Sequence, residues 1–232
     1  MHLIAVPVVL AITVFAASDL GPAFKQLVPI FERQTGTNVT LVLGSTGTLT
    51  QQIRNGAPAD VFFAANESYV DQLAAESLAL TQSRAVYARG RIAIVTLSAS
   101  GVHVEQLSAL TSPAVKRIAI ANPTHAPYGL AARQALEAAG VWSAVREKLV
   151  YGENVQQAVQ FVRSGSADAG IVARSVANTS DLHSTLVDER LHTPLEQVAV
   201  VIARTKHPAA ARRFIDFVNS AAGREVMRQF GF

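Results

Sequence analysis

The chain has 232 residues, half of them hydrophobic and 16% charged. That balance excludes a disordered chain and is enough for one large domain or two small lobes. A net charge of +3, with no basic stripe interleaved with aromatics, argues against a nucleic-acid partner, and the absence of cysteine excludes a disulfide framework, a thiolate metal centre and a cysteine nucleophile.

Leu3 to Ala17 is apolar apart from Pro7 and Thr13, and shorter than the roughly 20 residues a membrane helix needs. Residues 1–11 read as the end of an export signal's apolar region, although no Lys or Arg precedes it. Ile12–Phe15 then reads as a buried strand. The expected location is periplasmic or otherwise extracytoplasmic, with a membrane tether left open.

From there strands and helices alternate. Leu20–Gln34 reads as a helix ended by Gly36, with Phe24, Leu27 and Phe31 at helical spacing on one face and a kink expected at Pro29. Val39–Leu43 is strand-like, Thr48 to about Arg54 helical, and Val61–Ala64 a strand. Asn66 caps a helix reaching Leu78. Arg91–Val95, Arg117–Ala121 and Ala169–Val172 read as short buried strands. Helices Gly129–Ala139 and Val155–Arg163 lie between them, with Gly140 and Gly165 at their ends. Val198–Ile202 is a last strand, followed by helices Pro208–Ser220 and Gly223–Gln229. The alternation predicts an α/β fold with mixed, mostly parallel sheets flanked by helices. A two-lobed division would place 12–85 plus 198–232 in one lobe and 86–197 in the other, with crossings at Ala85–Arg91 and Pro194–Val200.

Four strand-to-helix turns share one character, rich in small, hydroxylated or glycine residues. They are Ala16-Ala17-Ser18-Asp19, Gly44-Ser45-Thr46-Gly47, Asn122 through Gly129, and Gly152-Glu153-Asn154-Val155. Helix N-termini carry unpaired N–H groups and the positive end of the helix dipole, and ligands of open α/β sheets lie beyond the carboxyl ends of strands. Converging on one cleft, such turns would hold a dianion with neutral donors, each bond to the charged acceptor contributing about 1.5–3 kcal/mol. Any one of them alone is more economically read as a helix cap.

Taken together, Val14-Phe15-Ala16-Ala17-Ser18-Asp19-Leu20, Gly44-Ser45-Thr46-Gly47, Gly56-Ala57-Pro58-Ala59-Asp60-Val61-Phe62, Asn122-Pro123 with Ala126-Pro127-Tyr128-Gly129, Gly152-Glu153-Asn154-Val155 and the closing Phe230-Gly231-Phe232 resemble the molybdate-binding proteins of ABC importers. The resemblance runs from about Ile12 to Phe232. It implies the two-lobed periplasmic-binding-protein fold, with molybdate or tungstate in the cleft between the lobes and an ABC permease as partner. It implies no cofactor, no catalysis and a monomer. Carried over, the ligand donors are Ser18 and Asp19 in the first turn, Thr46 in the second, Tyr128 in the third and Val155 in the fourth, all meeting the oxyanion and none the metal atom. Some members use a Tyr where this chain has Ala173, so that contact is absent or replaced.

Thr46 stands where the family has Ser, which keeps the hydroxyl and adds a methyl. Asp19 stands where a neutral Ser or Asn is usual, and a carboxylate facing a dianion is repulsive at short range. The favoured expectation is that Asp19 caps the helix at Leu20 with its carboxylate turned away. The alternatives are a different or protonated oxyanion, or drift from molybdate. A carrier of sulfate, phosphate or another tetrahedral anion, and an enzyme using Asp19 or His125 as base in the same cleft, are the competing functions. His125 is expected to position its turn, Glu153 to complement the helix dipole, and Asp60 and Asp168 to act as turn or packing residues.

Overall fold

The computed structural model describes residues 10–232; the signal remnant expected at 1–11 lies outside them but for its last two residues. Among the described residues ten strands and nine α-helices follow in the order β1 (Ala11–Ala17), α1 (Gly21–Thr35), β2 (Asn38–Gly44), α2 (Thr46–Arg54), β3 (Val61–Ala64), α3 (Glu67–Ala75), β4 (Ala79–Gly90), β5 (Ile92–Leu97), β6 (Ile118–Ala121), α4 (Pro127–Ala138), α5 (Trp142–Val145), β7 (Leu149–Gly152), α6 (Val155–Arg163), β8 (Ala169–Ala173), α7 (Arg174–Ala177), β9 (Leu182–Leu186), β10 (Leu195–Ile202), α8 (Pro208–Asn219) and α9 (Ala221–Gln229).

They form two five-stranded sheets, ordered β2-β1-β3-β10-β4 and β7-β6-β8-β5-β9. Each is mixed: β1 runs parallel to β2 and β3 while β10 is antiparallel to β3 and β4, and β6 runs parallel to β7 and β8 while β5 is antiparallel to β8 and β9. The antiparallel member of each sheet is the strand by which the chain enters it from the other sheet, β5 after β4 and β10 after β9. The chain changes sheet at Arg91, between β4 and β5, and returns between Leu186 and Leu195.

The buried faces follow from local pattern. β3 reads Val-Phe-Phe-Ala and is buried on both faces, as a strand covered by helices on two sides must be. On α1 the spacing of Phe24, Leu27 and Phe31 puts all three in the core, and exposed Pro29 lies within the helix without ending it. Val155, Ala158, Val159 and Val162 form the buried stripe of α6. Asp60 and Asp168 tie adjacent backbone: Asp60 accepts the Thr13 amide at 2.7 Å, and Asp168 accepts the amides of Lys116 and Arg117, each at 2.8 Å.

Two strands differ from the sequence expectation. β4 is twelve residues long where only a crossing segment was expected, and β9 was not expected at all. Both lie at a sheet edge, where one side of the strand meets water and polar residues such as Gln82, Arg84, His183 and Ser184 replace the apolar run that marks a covered strand.

Candidate functional site

Strands β1 and β2 of the first sheet and β6 and β7 of the second end facing one another, and each feeds a helical turn. Between those turns lies a cavity of about 10 Å³, room for roughly one water. Ser18, Asp19, Thr46, Tyr128 and Val155 all line it, together with the small residues Ala17, Gly44, Ser45, Ala65, Ala126 and Pro127. The structure therefore brings the five sequence-derived positions to a single place.

Each turn presents donors for a local reason. Asn154 caps α6, and its Oδ1 accepts the amides of Gln156 (2.9 Å) and Gln157 (3.2 Å), which leaves the Val155 amide at the first helical position to point beyond the helix end. Ser45 caps α2 by accepting the Thr48 amide, leaving the Thr46 amide in the same situation. The Thr46 hydroxyl accepts the Ala65 amide at 3.1 Å, so its own proton is still to be donated. Tyr128 is the second residue of α4, behind Pro127, which has no N–H to offer. Ser18 opens a 3₁₀ turn, Ser18–Leu20, and is buried.

The walls are closed on one another. The Gly47 amide donates to the His125 carbonyl at 2.8 Å, and the Ser45 hydroxyl lies 2.7 Å from His125 Nδ1. A methyl group on Gly47 would stand 2.6 Å from that carbonyl oxygen, so glycine permits the approach. Gln156 donates to the Ser18 carbonyl (3.2 Å), and the Ser175 hydroxyl to the Asp19 carbonyl (2.9 Å). His125 thus holds the two walls together as well as its own turn, with Glu153 3.8 Å from its other ring nitrogen. Ala173 ends β8 and brings no hydroxyl; two residues on, Ser175 binds the first turn instead.

Asp19 departs from its expected role. No side chain caps either the 3₁₀ turn or α1. Its carboxylate is wholly buried, and Oδ2 accepts from the Tyr128 hydroxyl (2.9 Å) and from Gln197 Nε2 (2.8 Å), while Gln197 also donates to the Tyr128 oxygen at 2.7 Å. Burial pushes its pKa from 3.8 up to about 6, against the lowering effect of the Gln197 and Tyr128 bonds. Burial, then the charge of Asp19, pushes Tyr128 and Tyr87 well above the ordinary phenol range. The cap failed as an expectation because the partners that outcompete it, Tyr128 and Gln197, come from elements 109 and 178 residues away. Gln197 carried no signal in sequence, standing with Glu196 as a polar pair just ahead of the apolar run Val198–Ile202. Ser45 did carry one, a Ser three residues ahead of a hydroxyl in a glycine-rich turn.

Among the described residues no cluster of three His, Asp or Glu side chains is placed to hold a metal ion. Amides and hydroxyls suit an anion's oxygens instead. Two α/β lobes closing on a cavity ringed by helix N-termini define the class of solute-binding proteins. Residues 12–232 match the family model described as bacterial extracellular solute-binding protein. The chain is 33% identical to the molybdate-binding protein ModA of Rhodobacter capsulatus over 95% of this chain and 87% of that one. It is 27% identical to the putative ABC transporter substrate-binding lipoprotein YvgL of Bacillus subtilis, over 95% and 85%. The solved periplasmic molybdate-binding protein of Azotobacter vinelandii superposes with a TM-score of 0.89 at 30% identity, covering 95% of this chain and 97% of that one. The chain belongs to the bacterial extracellular solute-binding proteins and, among them, to the molybdate-binding protein family.

Proposed function

We propose that this chain captures molybdate, or tungstate of the same shape and charge, in the cavity between the two sheets and delivers it to an ABC-type permease outside the cytoplasm, with or without a membrane tether. It is a binding component and performs no chemistry. The observation that carries the reading is the set of uncapped first-turn amides at Thr46, Tyr128 and Val155 around one cavity, with the hydroxyls of Ser18 and Thr46 beside them. Among the described residues no Lys or Arg lines that cavity. Neutral donors fixed in place by two sheets offset the desolvation of a dianion without a counter-charge that would slow its release. Donors alone favour an anion with no proton to share, and the size of the closed cavity then separates tetrahedral anions by their bond length.

The family membership supports molybdate over sulfate or phosphate. The test is thermal unfolding with each oxyanion in turn. A true ligand at about 1,000 times its dissociation constant stabilises the fold by about 4 kcal/mol. Molybdate and tungstate are expected to raise the melting temperature, sulfate and phosphate to leave it in place. A shift with phosphate alone would replace this reading with a protonated-oxyanion carrier.

A further inference from the structure

We propose that Asp19 is a proton site of the cleft, so that seating the dianion is accompanied by uptake of one proton from solvent onto the Asp19 carboxylate. The inference rests on the oxyanion reading above and names what that reading leaves unexplained, a carboxylate in the wall of an anion cavity.

Three observations carry it. Asp19 lines the cavity and is fully buried, so solvent does not screen its charge from a guest. Its two oxygens are unequally served: Oδ2 has two side-chain donors, while Oδ1 has no well-formed hydrogen bond, the Asp19 and Leu20 amides only approaching the carboxylate, and the buried Oε1 of Gln197 has no partner either. A buried ionised oxygen without a donor is costly, and a proton on the carboxyl group removes both the charge and that deficit. Finally, among the described residues nothing around it supplies a compensating cation. The groups facing Asp19 are Tyr128 from α4, Gln197 from β10, Tyr87 from β4 and, at its carbonyl, Ser175 from α7. Both tyrosines stay neutral because burial holds their hydroxyls protonated. Lys25 of α1 and Arg174 of α7 are exposed. Gln156 of α6, at the neighbouring Ser18 carbonyl, is neutral. Across the cavity the titratable pair is His125 with Glu153, linked through Ser45.

A dianion brought beside such a carboxylate meets like charge across a cavity with room for little water, which favours the protonated acid. In the free protein burial, net of the hydrogen bonds that oppose it, already lifts the carboxyl to about 6. Above that pH the free protein is ionised there and the complex is not, so binding draws in close to one proton and affinity falls about tenfold per pH unit. Below it the acid is already protonated, and both effects vanish.

The experiment is calorimetric titration of the intact protein with sodium molybdate, at several pH values between 5.5 and 8.5 and in two buffers of different ionisation enthalpy. Uptake of about one proton near pH 7.5, falling to about a quarter of a proton at pH 5.5, is expected for the native protein. In Asp19→Asn the uptake and the pH slope are both expected to disappear. Tight molybdate binding with no proton uptake and a flat profile would overturn the inference and leave the oxyanion reading intact, whereas no molybdate binding at any pH would overturn both. If Asp19→Asn does not fold, His125→Gln decides: uptake that survives leaves Asp19 as the carrier, and uptake that is lost assigns the proton to His125 and overturns the proposal.

Discussion

The two sheets build their cores from different materials. Around the first, Phe24, Phe31, Phe63 and Phe214 meet edge to face with ring centroids 5.0–5.7 Å apart, joined by Tyr87 and Phe217. Around the second the buried cluster is aliphatic, with Ile92, Ile94, Ile118, Ile120, Leu136, Val159 and Val162 and, among the described residues, no buried phenylalanine; Tyr128, the one aromatic buried there among them, sends its hydroxyl to Asp19 in the first turn. Yet both present the same device to the cleft, a strand end followed by a helix N-terminus. The core's chemistry is therefore interchangeable so long as it fixes where the strands end, and the binding surface belongs to the junctions.

The largest expected effect lies in the aromatic core. Phe214→Ala removes the ring that touches Phe24, Phe31 and Phe63, and should destabilise the protein by about 3–5 kcal/mol in chemical denaturation. In the aliphatic core Ile120→Val should cost only about 0.5–1.5 kcal/mol. Equal costs at the two positions would break the contrast between the cores. Next in size is a pH effect located between the sheets. The folded protein binds the Asp19 proton more tightly than the unfolded chain does, so its stabilising contribution is complete below about pH 4 and is lost as pH rises through about 6. The difference, about two pH units, corresponds to about 3 kcal/mol. Without oxyanion, the native protein should lose stability relative to Asp19→Asn by that order between pH 4 and pH 7. Parallel pH profiles for the two would show that the carboxyl is not held in a dry site.

The same contrast explains what could be read from sequence. Elements whose information is local were legible: the stripe of α1, the uninterrupted apolar β3, the Asn66 cap, and the glycine-rich turns that the fold gathers around one cavity. What escaped depends on partners far along the chain. The edge strands β4 and β9 are defined by the neighbour they pair with rather than by an apolar run of their own. Asp19 was placed in the right turn and given the wrong partner, because a capping preference is a local property and the Tyr128–Gln197 pair is not.

A smaller effect tests the closed junction itself. Gly47→Ala puts a methyl group against the His125 backbone, and a backbone oxygen cannot swing aside as a side-chain end can. The two walls must then part by some tenths of an ångström, losing the Gly47 to His125 bond and the Ser45 to His125 contact together. Molybdate should dissociate faster by about tenfold or more, equivalent to about 1.4 kcal/mol, with association little changed and the melting temperature of the free protein nearly so. An unchanged dissociation rate in stopped-flow measurement would mean that this contact does not hold the closed form.

The smallest effect separates capping from binding. Asn154 and Ser45 both cap helices that end at the cavity, but on opposite walls and with different second roles. Asn154 Oδ1 accepts two amides and crosses to nothing on the other wall. Ser45 accepts one amide, more weakly at 3.3 Å, and also engages Thr48 and His125. Asn154→Ala should therefore cost about 1 kcal/mol of stability, as loss of a good cap does, and weaken molybdate binding only as far as the Val155 amide loses its fixed direction. Ser45→Ala should show the reverse balance, a smaller loss of stability and a larger loss of affinity, since it releases one strand of the closure along with the cap. Denaturation and calorimetry on the two variants would read both quantities. If the two substitutions changed stability and affinity in the same proportion, the caps would serve the cleft only by holding their helices in place.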